Sequence, residues 1–272
     1  MSSSNSFSVL MAVYHKDDPN LLRLALESVY ANSLPPNAVV LVQDGPIGEV
    51  LQNVIGEYER RQDFHIIKLP NNKGLATALN AGLQYITTRY VFRADSDDYN
   101  LPDRFERQMA ALSSGYDLVG GSIMEVDKAG KSIAIRTVPT SQDEIRRFMS
   151  KRNPFNHMTV AFQLSAVVKL GGYPDINLKE DYALWVLMLS SGAKMININE
   201  ILVHATTGRD MYKRRGGLKY AYSEIDMQYF LVSHGIQSIF GAFIIGLSRS
   251  LVFLLPAFFR GFIYEKLLRK SI

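Results

Sequence analysis

Cysteine is absent from all 272 residues. Its absence excludes a disulfide scaffold, a cysteine nucleophile and a cysteine–zinc site, and it fits a reducing compartment. No Gly-x-Gly-x-x-Gly follows the first apolar run, and no Walker Gly-Lys-Ser/Thr occurs, so two common nucleotide-binding loops are missing. A phosphatase-type Asp-x-Asp-x-Thr fails because Tyr99 stands at the threonine position. Residues 1–6 are polar and lack the charged and apolar regions of a secretory signal. There is no internal repeat. Neither sign of charge dominates, with a net charge of +4, but the basic residues gather late. One group is Arg209, Lys213, Arg214, Arg215 and Lys219; another is Arg249, Arg260, Lys266, Arg269 and Lys270. A basic, apolar C-terminus points to an anionic membrane surface more than to nucleic acid.

Nearly half of the residues are apolar, enough for a sizeable core. Their pattern alternates buried strand and helix. Residues 7–14, 38–42, 65–69 and 90–92 read as buried strands. Helices are expected after Asp18-Pro19, over 48–61 and over 74–87. Such alternation predicts an α/β fold with a mainly parallel central sheet flanked by helices. Ligands of these sheets sit beyond the carboxyl ends of the strands, which here carry Tyr14, Asp44, residues 71–74 and residues 95–98. The second half is less regular. Strands are expected over 116–126, 133–138, 160–162 and 195–203, a capped helix after Ser141 and another helix over 182–190.

The densest chemistry lies in Val91-Phe92-Arg93-Ala94-Asp95-Ser96-Asp97-Asp98-Tyr99. Three carboxylates within four residues at a strand end are unfavourable unless a cation or strong donors sit there. Mg2+ or Mn2+ answers that need, taking one or two carboxylates together with the oxygens of a diphosphate. A solvated acidic turn, or a helix cap before Pro102, is the plain structural alternative. Arg93 could pair with these acids or sit exposed on a strand edge. Lys73 and Gly74 precede a helix, where amides and a cation suit an anionic ligand; a plain helix start is the alternative. Glu180-Asp181 is a second acidic pair, where adjacent carboxylates can raise one pKa, or where a helix dipole simply favours them.

Several ordered motifs carry a resemblance: Val9-Leu10-Met11-Ala12-Val13-Tyr14, Val42-Gln43-Asp44-Gly45, Asn72-Lys73-Gly74 with Leu79-Asn80-Ala81-Gly82, Arg93-Ala94-Asp95-Ser96-Asp97-Asp98, Gly171-Gly172-Tyr173 and Glu180-Asp181-Tyr182-Ala183-Leu184-Trp185. Over roughly residues 7–220 the chain resembles inverting family 2 glycosyltransferases of the GT-A fold. Among these it is similar to bacterial enzymes of O-antigen and exopolysaccharide synthesis, the amylovoran-biosynthesis type. The resemblance implies a catalytic region over 1–220, with a nucleotide-binding half near 7–100 and an acceptor half near 101–220.

The roles that follow are implied by the resemblance. Ala12, Val13 and Tyr14 would hold uracil by backbone contacts and stacking. Asp44 would accept a hydrogen bond from uracil or ribose, and Lys73, Gly74, Asn80, Asp95 and Ser96 would complete the donor site. Asp97, with Asp95, would hold Mn2+ or Mg2+, which neutralises the departing UDP. Asp98 would cap or orient. Asp181 would be the base that deprotonates the acceptor hydroxyl, with Glu180 on the acceptor or on metal-side groups; Trp185 would stack on the acceptor sugar or fill core, and His157 would bind the acceptor or serve the structure. Arg214 and Arg215, in a basic loop, would meet the diphosphate or a lipid phosphate.

The implied activity is transfer of a hexose, galactose in a β-1,3 linkage, from a UDP-sugar to an undecaprenyl-diphosphate-linked sugar at the cytoplasmic face of the bacterial inner membrane. A homo-oligomer is compatible with it. Two rival readings stand beside it: a nucleotidyltransferase on a similar sheet, and a catalytically silent membrane adaptor of a polysaccharide assembly complex. Residues 221–272 are expected to form a helical membrane-associating region. Residues 236–262 are rich in Phe, Leu and Ile, with Pro256 expected to kink them. Arg249 sits near the middle of this stretch, where an arginine at the bilayer centre costs about 2.5–3.5 kcal/mol. Arg249 and Arg260 fall on nearly one helical face, which favours helices lying among headgroups over a clean span.

Overall fold

The computed structural model describes residues 5–207, 216–256, 259, 260, 270 and 271. The first half alternates as expected. Strand β1 (Phe7–Val13) is followed by α1 (Pro19–Tyr30), β2 (Ala38–Gln43), α2 (Glu49–Gly56), β3 (Phe64–Lys68), α3 (Leu75–Leu83) and β4 (Tyr90–Arg93). Asp18 caps α1 by accepting from the Asn20 amide at 3.0 Å, and Pro19 starts the helix. α2 and α3 end earlier than their apolar pattern suggested, at Gly56 and Leu83.

Strands β3, β2, β1 and β4 lie side by side and are all parallel. Alternate residues of β2 enter opposite cores: Val40 and Val42 one, Val39 and Leu41 the other. Both faces of β2 are therefore covered, which is why it reads as an apolar run from Ala38 to Val42. α3 presses closely on β1. A Cβ on Gly82 would lie 2.3 Å from the Leu10 side chain, so only glycine fits there.

The second half corrects the expectation of a mainly parallel sheet. It holds β5 (Tyr99–Asn100), α4 (Arg104–Ser113), β6 (Leu118–Val126), β7 (Ser132–Arg136), α5 (Gln142–Met149), β8 (Ala161–Gln163), α6 (Leu164–Val168), α7 (Glu180–Ser190) and β9 (Met195–Thr206). β8 lies antiparallel between β4 and β6, β6 and β7 form a hairpin, and β9 runs parallel to β6. The short turn after β6 forces β7 back antiparallel, since a parallel return needs a long crossover. The sheet is mixed. A last short strand, β10 (Lys270–Ser271), pairs antiparallel with β7.

The chain then forms α8 (Leu218–Ser233) and α9 (Ile239–Leu254), packed on each other. Met227 and Leu231 of α8 join the core that holds Tyr182 and Trp185 of α7. α9 ends two residues before Pro256 instead of kinking there. No helix among the described residues is long and apolar enough to cross a membrane. The two arginines assigned to a headgroup-facing side turn inward. Arg249 pairs with the fully buried Glu224, and Arg260, 7% exposed, donates to the carbonyls of Phe253 and Leu255. An unpaired guanidinium on an apolar face would cost far more than these inward bonds.

Candidate active site

Because β2, β1 and β4 are parallel neighbours, the loops after Gln43, Val13 and Arg93 emerge together at one edge of the sheet. The loop after β4 carries Asp95, Asp97 and Asp98, whose carboxylate oxygens lie within 4.8 Å of one another. Asp95 pairs with Arg93, which is only 2% exposed. Arg104, fully buried, donates to the Arg93 carbonyl at 2.7 Å. Two buried guanidinium groups thus underlie the acids.

Asp98 is 4% exposed; its Oδ1 accepts from the Thr206 amide at 2.8 Å, and its Oδ2 has no hydrogen-bond partner among the described residues. Burial, then the charges of Asp95 and Asp97, push its carboxyl well above the ordinary range. Loss of surrounding water, then repulsion from Asp95 and Asp17, brings Asp97 up to about 7. A buried carboxylate oxygen without a donor, in a set of hard oxygen ligands, fits a divalent cation. Asp95, Asp97 and Asp98 are the residues that would hold it.

A linked expectation concerns stability without metal. Unfolded carboxyls titrate near pH 4, whereas Asp97 and Glu180 titrate at about 7 in the fold. Between those values the native state binds more protons than the unfolded one, so stability falls as pH rises. The metal-free protein should melt at a lower temperature at pH 8 than at pH 5. Added Mn2+ should raise the melting temperature more at pH 8. Calorimetric scans with and without EDTA check both signs.

Beside the acids, Asp44 is nearly buried and accepts from the Lys73 amide at 2.7 Å and the Gly74 amide at 2.9 Å. It fastens the loop before α3 to the end of β2. Lys73 is exposed, Ala12 and Tyr14 are half-buried, and Val13 is buried. Asp17 accepts from the Tyr14 amide at 3.0 Å and from the Ser96 hydroxyl at 2.9 Å, which joins the β1 loop to the acidic loop.

The second acidic pair opens α7. Asp181 accepts from Asn153 Nδ2 and from the Tyr182 amide, each at 2.7 Å. Burial raises its carboxyl, while those two donors and the charges of Lys179 and Arg136 act against the rise. Burial, then the Asp181 charge, brings Glu180 to about 7. His157 shares a 3.1 Å hydrogen bond with the Tyr173 hydroxyl, and burial, then the Arg93 charge, holds it neutral at well below its usual pKa. Burial, ahead of the neighbouring charges, pushes the Tyr173 hydroxyl up. The Arg93 amide donates to the Val160 carbonyl at 2.8 Å, the Val160 amide to the His157 carbonyl at 3.2 Å, and the His157 ring lies 6.2 Å from that of Trp185, one turn after Asp181. A short chain of contacts thus runs from the acidic loop to the start of α7.

Residues 8–170 match the family described as Glycosyl transferase family 2. The chain belongs to glycosyltransferase family 2. It is 39% identical over 270 residues to the Escherichia coli UDP-Gal:alpha-D-GlcNAc-diphosphoundecaprenol beta-1,3-galactosyltransferase, covering 98% of each chain. It is 35% identical over 262 residues to the amylovoran biosynthesis glycosyltransferase AmsE of Erwinia amylovora, covering 96% of this chain and 98% of the relative. Its fold is shared with S. aureus TarS 1-349, solved in complex with UDP-GlcNAc, at a TM-score of 0.64 and 16% identity over 84% of this chain and 66% of that one. The protein is thus a glycosyltransferase with a GT-A-like mixed α/β fold.

Not every expected site residue of this glycosyltransferase is free to meet a ligand. Trp185 is fully buried against Phe155 and His157, so it fills core and cannot stack on an acceptor. Both polar ends of Asn80 are taken by the Tyr173 backbone, which donates to Oδ1 at 2.8 Å and accepts from Nδ2 at 2.9 Å. Gly172 permits that clasp. Its φ is +84°, and a Cβ there would lie 2.3 Å from Asn80 Oδ1. Ser96 is spent on Asp17. Arg214 and Arg215 lie outside the described residues. Sequence reasoning missed Asp17, Asn153 and Tyr173. None sits at a distinctive spacing, although Tyr173 falls inside the Gly171-Gly172-Tyr173 motif.

Proposed function

We propose that this enzyme transfers galactose from UDP-galactose, in a β-1,3 linkage, to a GlcNAc-diphosphate lipid of the undecaprenyl type, inverting the anomeric carbon. The observation that carries the reading is the chain of contacts from the Asp95, Asp97 and Asp98 loop through Arg93, Val160 and His157 to the helix that Glu180-Asp181 opens. Similarity across almost the whole chain to the E. coli galactosyltransferase supports the choice of substrates.

In this reading the uridine lies over the ends of β1 and β2, against Ala12, Val13, Tyr14 and Asp44, with Lys73 and Gly74 beside the diphosphate. Asp95 and Asp97, with Asp98 behind them, would hold a divalent cation, which would supply charge neutralisation for the leaving diphosphate. Asp181, oriented by Asn153 and the Tyr182 amide, takes the proton of the attacking hydroxyl. Glu180 lies next to it, positioned to hydrogen-bond the acceptor sugar.

The lipid tail of such an acceptor needs a membrane surface, and α8 and α9 offer a face for one. Phe240, Phe243, Ile244, Leu247, Leu251 and Leu254 form an exposed stripe along α9, continued on α8 by Leu218, Tyr222, Ile225 and Tyr229. With Arg249 turned inward, no charge interrupts the α9 stripe. A contiguous apolar surface of this kind marks an interaction site. The enzyme would therefore dock peripherally at the cytoplasmic face, assisted by the basic residues 266–270. Phe240→Asp with Phe243→Asp should lower binding to phosphatidylethanolamine–phosphatidylglycerol vesicles at least ~tenfold, since each buried phenylalanine contributes about 1.5–3 kcal/mol. Sedimentation with the vesicles measures it, and unchanged binding would reject this face.

The reaction is tested with UDP-galactose, UDP-glucose and UDP-GlcNAc, Mn2+ and a GlcNAc-diphosphate-alkyl acceptor. UDP release with UDP-galactose alone supports the reading. Release of pyrophosphate, or no turnover with any donor, ends it.

A further inference from the structure

Glu224 is a carboxylate with no exposed surface, in the middle of a helix that exposes Leu218, Tyr222, Ile225 and Tyr229. Three groups converge on it: Lys179 Nζ at 3.0 Å, Arg249 Nη1 at 3.1 Å and Gln228 Nε2 at 2.9 Å. Each comes from a different place. Lys179 is the residue before Glu180-Asp181, Arg249 belongs to α9, and Gln228 is one turn further along α8. Burial pushes the Glu224 carboxyl up, but the Lys179 and Arg249 charges and the hydrogen bonds outweigh it and hold it below the ordinary value. Lys179 also places its ammonium 5.8 Å from the centre of the Phe253 ring on α9.

The backbone at this point carries a second, independent signal. Leu178 has φ = +64°, the sole positive φ outside glycine among the described residues. A branched side chain there is strained by about 1–2 kcal/mol, and such strain persists only where surrounding contacts over-determine it. Lys179 then caps α7 without any side-chain cap bond, its side chain reaching to Glu224 instead. The residue that opens the acid-bearing helix is thus held from the far side, by the hairpin that exposes the apolar stripes. A purely stabilising role would not need charges, because apolar groups of equal volume usually serve a buried position as well.

We propose that Glu224 is a positioning residue for the transfer reaction: through Lys179 and Arg249 it ties the apolar α8–α9 hairpin to the start of α7 and so sets the placement of Glu180 and Asp181. The proposal rests on the glycosyl-transfer reading, in which these acids face the acceptor. Seating of the hairpin on a lipid surface then fixes the same ion cluster that fixes the acids. Removing the tie lets the strained turn at Leu178 relax and moves the base.

The test uses the full chain, the UDP-galactose assay above and the same vesicles. Glu224→Gln should lower kcat about a hundredfold, the loss expected of a base displaced by an ångström. Its KM for UDP-galactose should change by no more than about twofold, because the donor site is untouched. Vesicle binding should stay at the wild-type level. Glu224→Asp, which keeps the charge, should recover part of kcat.

The Lys179→Met, Glu224→Gln, Arg249→Met triple variant separates positioning from folding. It removes both cations that would lose their carboxylate and should regain the melting temperature while kcat stays low. Recovery of kcat together with the melting temperature would overturn the proposal, as would an E224Q rate loss equal to its loss of folded protein. A wild type inert with every UDP-sugar would end the glycosyl-transfer reading; an active wild type with an equally active E224Q ends this inference alone.

Discussion

Asp181→Asn should leave transfer at about one-thousandth of the wild-type rate or below, within the range spanned by general-base catalysis, with KM for the donor little changed. The substitution preserves shape. Asparagine keeps a carbonyl oxygen that can accept from Asn153 or from the Tyr182 amide, as Asp181 does at 2.7 Å from each. What it removes is the lone proton acceptor oriented by two donors. Asp181 is the better base of the pair because two donors fix its carboxylate, and although burial raises it, those donors, Lys179 and Arg136 act against the rise. Glu180 carries the burden of its neighbour's charge and titrates at about 7. Its ionisation should in turn make Asp181 more basic, so the wild-type kcat/KM should climb through pH 7 to a plateau. Glu180→Gln should flatten that rise and cost about tenfold, the low end for a hydrogen bond to the acceptor. UDP release across pH 5–9 for the two variants decides the assignment. A fast Asp181→Asn enzyme would pass the base to Glu180.

Much of the nucleotide half was legible because its physics is local. A strand covered on both faces is apolar along most of its length, as β1, β2 and the Tyr90–Phe92 stretch of β4 are. Asp18-Pro19 and the Ser141–Glu144 capping box signal helix starts within four residues, and both form. The second half was less legible because its pairings are non-local. Nothing in residues 160–162 announces that the strand will run antiparallel between β4 and β6, since that depends on which edges the earlier strands leave open. The same limit explains Trp185. One turn from Asp181 along a helix, it could stack on the acceptor or fill core; α7 is buried on almost every side and its hydrophobic pattern names no outer face. Arg249 teaches the converse. Its neighbours suggested a headgroup-facing charge, whereas a carboxylate 25 residues earlier, Glu224, turns it inward.

Asp97→Asn should move activity and stability in opposite directions. Activity should fall about a thousandfold, because a cation that neutralises the leaving diphosphate supplies several kcal/mol of transition-state stabilisation and Asp97 offers it an accessible anionic oxygen. Titration calorimetry with Mn2+ should show weaker binding in the same variant. The metal-free protein, however, should melt at a higher temperature than the wild type at pH 8. There the wild-type Asp97 is ionised against Asp95 and Asp17, two of the causes that raise its pKa to about 7, and the neutral amide removes that repulsion. At pH 5 the wild-type carboxyl is already protonated, so the two melting temperatures should converge. Acids crowded for a cation make the fold less stable without one, which is the usual cost of a site built for chemistry. A variant with wild-type turnover and an unaltered Mn2+ isotherm would remove Asp97 from the metal site. A variant less stable than wild type at pH 8 would show that the carboxylate earns its place through some contact other than a bound cation.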